Sequence, residues 1–277
     1  MDENFIVTLI NPFSRVKGRR AKENSVITLP ALEPRNELDS EIHVFRATSS
    51  ADPISNAKDC TVAVIYGYLT QLAFIRLHKD TTWTFIYAGT RNVQDLVYVE
   101  DRFFAINDLN QLESFAVTPQ FNPKEEITVV AEYFEQEAAV IKRYLVELSD
   151  RKELIMVQRY TANRHNIHGK RFTTKIELYK LDADKYKWTK INSLGGAAIF
   201  LGENSSISLL ASEVLGCLPD CIYFVHDYNR VPCKRPRDFG LYNVKTEKFL
   251  PIDDTQAATL IKMSNQTPIW IVPNIKL

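Results

Sequence analysis

The chain has 277 residues, 45% hydrophobic and 25% charged, which is enough apolar material to bury a large core. Lys plus Arg and Asp plus Glu stand at 34 each, so no net field draws a nucleic acid or an anionic membrane. No apolar run reaches the ~18 residues of a membrane span, the start Met1-Asp-Glu-Asn carries no basic secretory leader, and four cysteines are too few for a disulfide framework. With these features a cytoplasmic or nuclear setting with reduced thiols is expected.

Strand signals dominate from the first third onward. Val62–Tyr68, Leu72–Leu77, Trp83–Tyr87, Leu96–Val99 and Phe103–Ile106 are short and rich in β-branched and aromatic residues. Tyr133–Leu148 reads either way, its Glu and Ala favouring helix and its Tyr144-Leu-Val-Glu-Leu favouring strand; strand is preferred from Tyr144 onward. Leu154–Tyr160, Lys175–Leu181, Ile207–Leu210, Ile222–His226 and Phe239–Val244 continue the strand series. In Lys175–Leu181, Ile176, Leu178 and Lys180 face one way and Glu177, Tyr179 and Leu181 the other. Neither face is purely polar, as expected of a strand covered on both sides. One short helix is expected at Thr255–Met263, capped by Asp254.

A weak repeat runs through these strands. Trp83-Thr-x-Ile returns as Trp188-Thr-x-Ile, about two blades further on at the ~40–50 residues of a propeller repeat. Each unit is a meander that cannot bury both its faces alone, so the reading is an all-β propeller of four-stranded antiparallel blades with little helix, a single domain over residues 1–277. Trp83 and Trp188 are expected in the core with each indole N–H bonded to a loop, and Trp270 is expected to pack the closing segment.

Specific motifs then accumulate: Leu9-Ile-Asn-Pro-Phe13, Asp59-Cys-Thr-Val-Ala-Val-Ile-Tyr-Gly67, Asp95-Leu-Val-Tyr98, Ile199-Phe-Leu-Gly202, Gly216-Cys-x3-Cys221-Ile-Tyr-Phe, Gly240-Leu-Tyr-Asn and Pro268-Ile-Trp-Ile-Val-Pro273. With them the chain resembles the plant F-box-associated KIB-type β-propeller family over nearly its whole length. The resemblance implies a substrate-recognition module for ubiquitin ligation, working by contact with a protein client and needing no cofactor. Members commonly carry an N-terminal F-box, and its helical pattern is not seen here. Docking on the ligase adaptor is therefore not expected, a truncated paralogue or decoy is an open reading, and the first blade is expected to be incomplete. Gly196 and Ala197 also stand where relatives often place Asp and Arg.

Constellations that suggest chemistry are better explained as structure. Gly195-Gly196 and Gly202 precede strands, not the helix a phosphate loop requires, and read as turns. Cys217, Cys221, His226 and Cys233 include zinc-ligand types, but a strand through Ile222–His226 would send Cys221 and His226 to opposite faces. His165 and His168 share a polar loop with no completing ligand, and Asp182 and Asp184 mark a hairpin tip. No metal and no catalytic group is assigned. The expected contacts lie on two basic segments that rigid strands would carry at one rim: Arg164 and His165 in one, Arg230, Lys234, Arg235 and Arg237 in the other. A second reading stays open: a small-molecule or sugar-binding propeller, hydrolytic or not, with its site in the central channel.

Overall fold

The computed structural model describes residues 6–10, 26–32, 44–54, 56–67, 70–86, 92–118, 121, 126–131, 140–148, 150–163, 171–203, 206–225, 238–251 and 270. An antiparallel pair, β1 (Ile6–Ile10) and β2 (Val26–Ala31), comes first. Blade I is β3 (Val44–Ser49), β4 (Thr61–Tyr66), β5 (Gln71–Arg76) and β6 (Thr84–Ile86). Blade II is β7 (Val93–Val99), β8 (Arg102–Asn107), β9 (Leu112–Phe115) and β10 (Thr128–Ala131). Blade III is β11 (Val140–Leu148), β12 (Glu153–Asn163), β13 (Arg171–Asp182) and β14 (Lys187–Ile191). Blade IV holds β15 (Ala197–Leu201), β16 (Ser206–Leu210), β17 (Cys221–Phe224), β18 (Gly240–Asn243) and β19 (Lys248–Leu250). The fold is a four-bladed β-propeller, and no α-helix occurs among the described residues.

Alternation along each strand explains the stacking. On β4, Val62, Val64 and Tyr66 meet Leu29 and Leu32 beneath the β1–β2 pair, while Ala63 and Ile65 meet Leu96 and Phe103 of blade II. On β12, Leu154 and Met156 join Ile106 and Leu112 of blade II, and Ile155 and Val157 join Ile199 and Ile222 of blade IV. Neither face of β4 or of the Leu154–Val157 stretch of β12 is left for water. At roughly 1.5–3 kcal/mol per fully buried large aliphatic side chain, this two-sided burial is the main force holding blades together. The β13 reading is borne out: Ile176 and Leu178 face blade IV, while Tyr179 and Leu181 lie partly buried against the opposite core.

Turn chemistry fixes the registers. Val99 pairs with Arg102, so Glu100 and Asp101 form a two-residue hairpin turn with φ of 46° and 64°. Gly195 and Gly196, at φ of 62° and 92°, make the expected turn before β15. Blade IV departs from a plain meander. Its order is β16-β15-β17-β18-β19, and β15 runs parallel to β17. The chain enters this blade in second place, folds back to supply the inner strand β16, and returns further out.

Two expectations change. Where helix and strand competed over Tyr133–Leu148, the strand begins at Val140, and the residues before it lie outside the described set, as does the expected helix Thr255–Met263. The Trp83 indole bonds a strand rather than a loop, donating to the Pro30 carbonyl of β2 at 2.9 Å; Trp188 Nε1, although buried, has no hydrogen-bond partner among the described residues. Trp270 donates to Leu201 O at 2.7 Å and meets the Phe200 ring edge-on at 5.0 Å.

Candidate interaction face

The inner strands β3, β7, β11 and β16 sit side by side around the axis. Strand alternation then puts the β4–β5, β8–β9 and β12–β13 connections at the end where β3, β7 and β11 begin. The parallel β15–β17 pairing brings the β17–β18 connection to that same end. Three of the inner strands carry a bulge there, between Val44 and Arg46, Val93 and Asp95, and Val140 and Lys142. Each bulge is followed by a charged residue, so Arg46, Asp95 and Lys142 occupy equivalent places in successive blades.

Arg46 and Asp95 close the axis at this level. Asp95 takes Arg46 Nε on one carboxylate oxygen and Nη2 on the other, the latter at 2.6 Å. Nη1 of Arg46 donates to the carbonyls of Gly202 at 2.8 Å and Glu203 at 2.9 Å, and Nη2 also donates to Ser206 Oγ at 2.6 Å. All five guanidinium donors thus have acceptors. Asp95 additionally accepts the Leu145 amide of β11 at 2.7 Å and the Leu96 amide at 2.7 Å. One buried pair therefore touches all four blades. Complete burial pushes the Asp95 carboxyl up, opposed by the Arg46 charge and the two amides.

Further out, Arg159 of β12 ties blade III to blade IV. Its Nε donates to Thr173 Oγ1 at 2.7 Å, Nη1 to Tyr144 Oη at 3.0 Å and Val225 O at 3.2 Å, and Nη2 to Asp238 Oδ2 at 2.7 Å. Asp238 Oδ1 accepts the Thr173 amide at 2.9 Å, and Oδ2 accepts the Thr173 hydroxyl at 2.8 Å. The guanidinium lies 4.8 Å from the Phe224 ring centre. That ring is seated over Gly240, where an added Cβ would come within 2.5 Å of it.

On the side of blade III facing blade II, Glu177 gathers a polar strip. Lys190 Nζ reaches it at 2.6 Å, Lys175 Nζ at 2.8 Å and Tyr160 Oη at 2.6 Å. Burial alone would raise this carboxyl, but the hydrogen bonds from Lys175, Lys190 and Tyr160 outweigh it and hold it at about 2, against an ordinary 4.5. The folded state therefore binds this proton less readily than the unfolded chain. Its stabilisation is full above about pH 4.5 and is lost as pH falls toward about 2. Both lysines are more than half exposed, so the contribution is about 1–2 kcal/mol after screening. Glu177→Gln is expected to lower the urea midpoint at neutral pH and flatten its fall between pH 4.5 and 3; an unchanged acid limb would refute the assignment.

The KIB1-4 beta-propeller family model matches residues 1–243. This chain belongs to that family. Among curated proteins it is 28% identical to "Putative F-box protein At5g55150" of Arabidopsis thaliana over 76% of its own length and 56% of that protein. To "F-box protein At2g26160" of the same plant it is 24% identical over 53% of its length and 44% of that protein. The chain thus spans about half the length of the curated relatives it matches.

In this KIB1-4 propeller, Arg164, His165, Arg230, Lys234, Arg235 and Arg237 all lie outside the described residues, as do His168, His226 and Cys233. What the fold does place are two residues close to these segments in sequence. Thr173, close behind segment 164–170, is bonded to Asp238, which directly follows segment 226–237. Sequence reasoning gave no role to Arg46, Asp95 or Arg159, although Asp95 stood in a quoted motif; the available signal was a charged residue standing inside a strand. Cys221 is buried with Asn243 Nδ2 at 3.6 Å from its sulfur, and burial pushes its thiol up. Among the described residues no group of three or more His, Cys, Asp or Glu is placed to hold a metal, and no helix is long and apolar enough to cross a membrane.

Proposed function

We propose that this KIB1-4 propeller is a non-catalytic recognition module that holds a protein client against the face from which segments 164–170 and 226–237 emerge, in the cytoplasm or nucleus. The observation that supports the reading is the Thr173–Asp238 junction, which brings together two described residues that lie close in sequence to the two segments. Segment 226–237 holds Arg230, Lys234, Arg235 and Arg237 against Asp227 alone, and segment 164–170 adds Arg164, His165 and Lys170, in a chain with no net charge. An acidic stretch of the client suits that face. The F-box proteins among its relatives point to selection of substrates for ubiquitin ligation. The central-channel alternative is less well supported, because Arg46 and Asp95 use their polar atoms on each other and on the blades.

The test is quantitative affinity purification from Arabidopsis extract. Native protein is compared with a variant carrying Arg230, Lys234, Arg235 and Arg237 as glutamate, each at two salt concentrations. One or more acidic proteins should bind the native form about tenfold or more better, with the difference shrinking at high salt. Equal recovery of every protein by the two forms would sink the reading.

A further inference from the structure

We propose that Lys175 and Lys190, held together by Glu177, form a receptor for one carboxylate side chain of an acidic peptide. The proposal rests on the recognition reading above for its biological use. Its geometry lies on the described strands of blade III.

The two lysines come from neighbouring strands. Lys175 of β13 pairs with Tyr160 of β12, and Lys190 of β14 pairs with Tyr179 of β13. Lys175, Glu177 and Tyr179 alternate onto one face of β13, and Trp188, two residues before Lys190, is buried in the core shared with blade II. Glu177 Oε1 accepts both ammonium groups, Lys175 at 2.8 Å and Lys190 at 2.6 Å. The two nitrogens are therefore no farther apart than those distances laid end to end, a gap that one further carboxylate bridges with an oxygen on each. Oε2 is taken by the hydroxyls of Tyr160 at 2.6 Å and Tyr179 at 3.1 Å, so the anion beneath has donors on both its oxygens. The Lys175 nitrogen also lies 5.1 Å from the centre of the Tyr160 ring, which helps to seat it.

Charge and exposure select the ligand. Among the described residues, Glu177 is the one carboxylate that holds two lysines; Lys79, Lys152, Lys180, Lys185 and Lys245 each face a different carboxylate. Two ammonium groups over one carboxylate leave an excess positive charge that a single incoming carboxylate cancels. An ammonium carries three donors, and each lysine spends one on Glu177. Both lysine side chains are more than half exposed, whereas Glu177 is buried beneath them. The outer donors thus meet a partner while the anion that holds them stays covered. An aspartate or glutamate side chain fits this arrangement, and a cation is repelled by it.

The test is a titration of the purified protein, carrying isotope-labelled lysine, with a hexaglutamate peptide at low salt and well below the melting temperature. NMR signals of the lysine side chains are the readout. Those of Lys175 and Lys190 should shift saturably, while those of Lys185 and Lys245, each paired with one carboxylate, shift little. Glu177→Gln keeps the shape and removes the competing charge, so it should tighten peptide binding about threefold or more. Lys175→Gln and Lys190→Gln should each weaken it by about the same factor, and every difference should shrink at high salt. A purely structural triad behaves in the opposite sense, because losing Glu177 then loosens the lysines and tightens nothing. Unchanged or weaker binding by Glu177→Gln, or equal shifts at all four lysines, would overturn the receptor. Tighter binding of inorganic phosphate than of the peptide would overturn it in favour of a phosphoryl site. Peptide binding that emerges only after Glu132, Glu135 and Glu137 are changed to glutamine would overturn it in favour of the chain's own carboxylates. The titration uses no client and leaves Arg230, Lys234, Arg235 and Arg237 in place. Its failure therefore leaves the affinity purification standing, and equal recovery in that purification leaves the lysine pair standing.

Discussion

Replacing Arg46 by methionine is expected to destabilise the propeller by about 3–5 kcal/mol, the usual effect of removing one partner from a buried ion pair. Asp95 is fully buried and takes two of its hydrogen bonds from that guanidinium. Without it, the carboxylate must either stay charged without a counter-ion or take up a proton. The carbonyls of Gly202 and Glu203 and the Ser206 hydroxyl lose their donor in the same step. Asp95→Leu should cost a similar amount, because it strands the guanidinium instead. The double change Arg46→Met with Asp95→Leu should recover part of the loss, since both charges leave the interior together, while the polar groups of blade IV stay short of a donor and the Leu96 and Leu145 amides short of an acceptor. Urea unfolding of the four proteins gives the coupling energy directly. A coupling below about 1 kcal/mol would mean that the pair does not staple the four blades.

This pair also shows where sequence reasoning reached and where it stopped. Strand β4, apolar at almost every position, and the Leu154–Val157 run of β12, apolar throughout because both faces are covered, were legible as strands and implied stacked sheets. Strand β3, Val-Phe-Arg-Ala-Thr-Ser, was not: its place at the axis is set by a buried arginine, and a charge in a strand reads ordinarily as solvent-facing. Strands β9, β10 and β19 were missed for another reason, being three or four residues long with little pattern to detect. The swap that places β16 inside β15 could not be read either, because two strands joined by a short turn look the same whichever lies nearer the axis. The basic segments were visible in composition. Their common root was not, since Thr173 and Asp238 lie 65 residues apart and meet only through the packing of blade III on blade IV.

Trp83→Ala is expected to cost about 3–5 kcal/mol, the range for removing a large buried aromatic side chain. The Trp83 ring is 5% exposed and belongs to the apolar cluster that seats the β1–β2 pair on blade I. Its indole adds a polar anchor by donating to Pro30 O. Trp188 is its counterpart in the repeat, 7% exposed within the core between blades II and III, but its indole nitrogen finds no acceptor among the described residues. Phenylalanine separates the two contributions, since it keeps an aromatic ring and deletes the donor. Trp83→Phe should lose about 1–2 kcal/mol for the broken hydrogen bond and the unpaired carbonyl, beyond the loss from its smaller ring. Trp188→Phe removes a donor that was buried without a partner, so relief of that penalty offsets part of the ring loss. The melting temperature should therefore fall clearly further for Trp83→Phe than for Trp188→Phe. An equal or smaller fall for Trp83→Phe would show that the indole hydrogen bond to Pro30 adds nothing and that the β1–β2 pair is held by its apolar contacts alone.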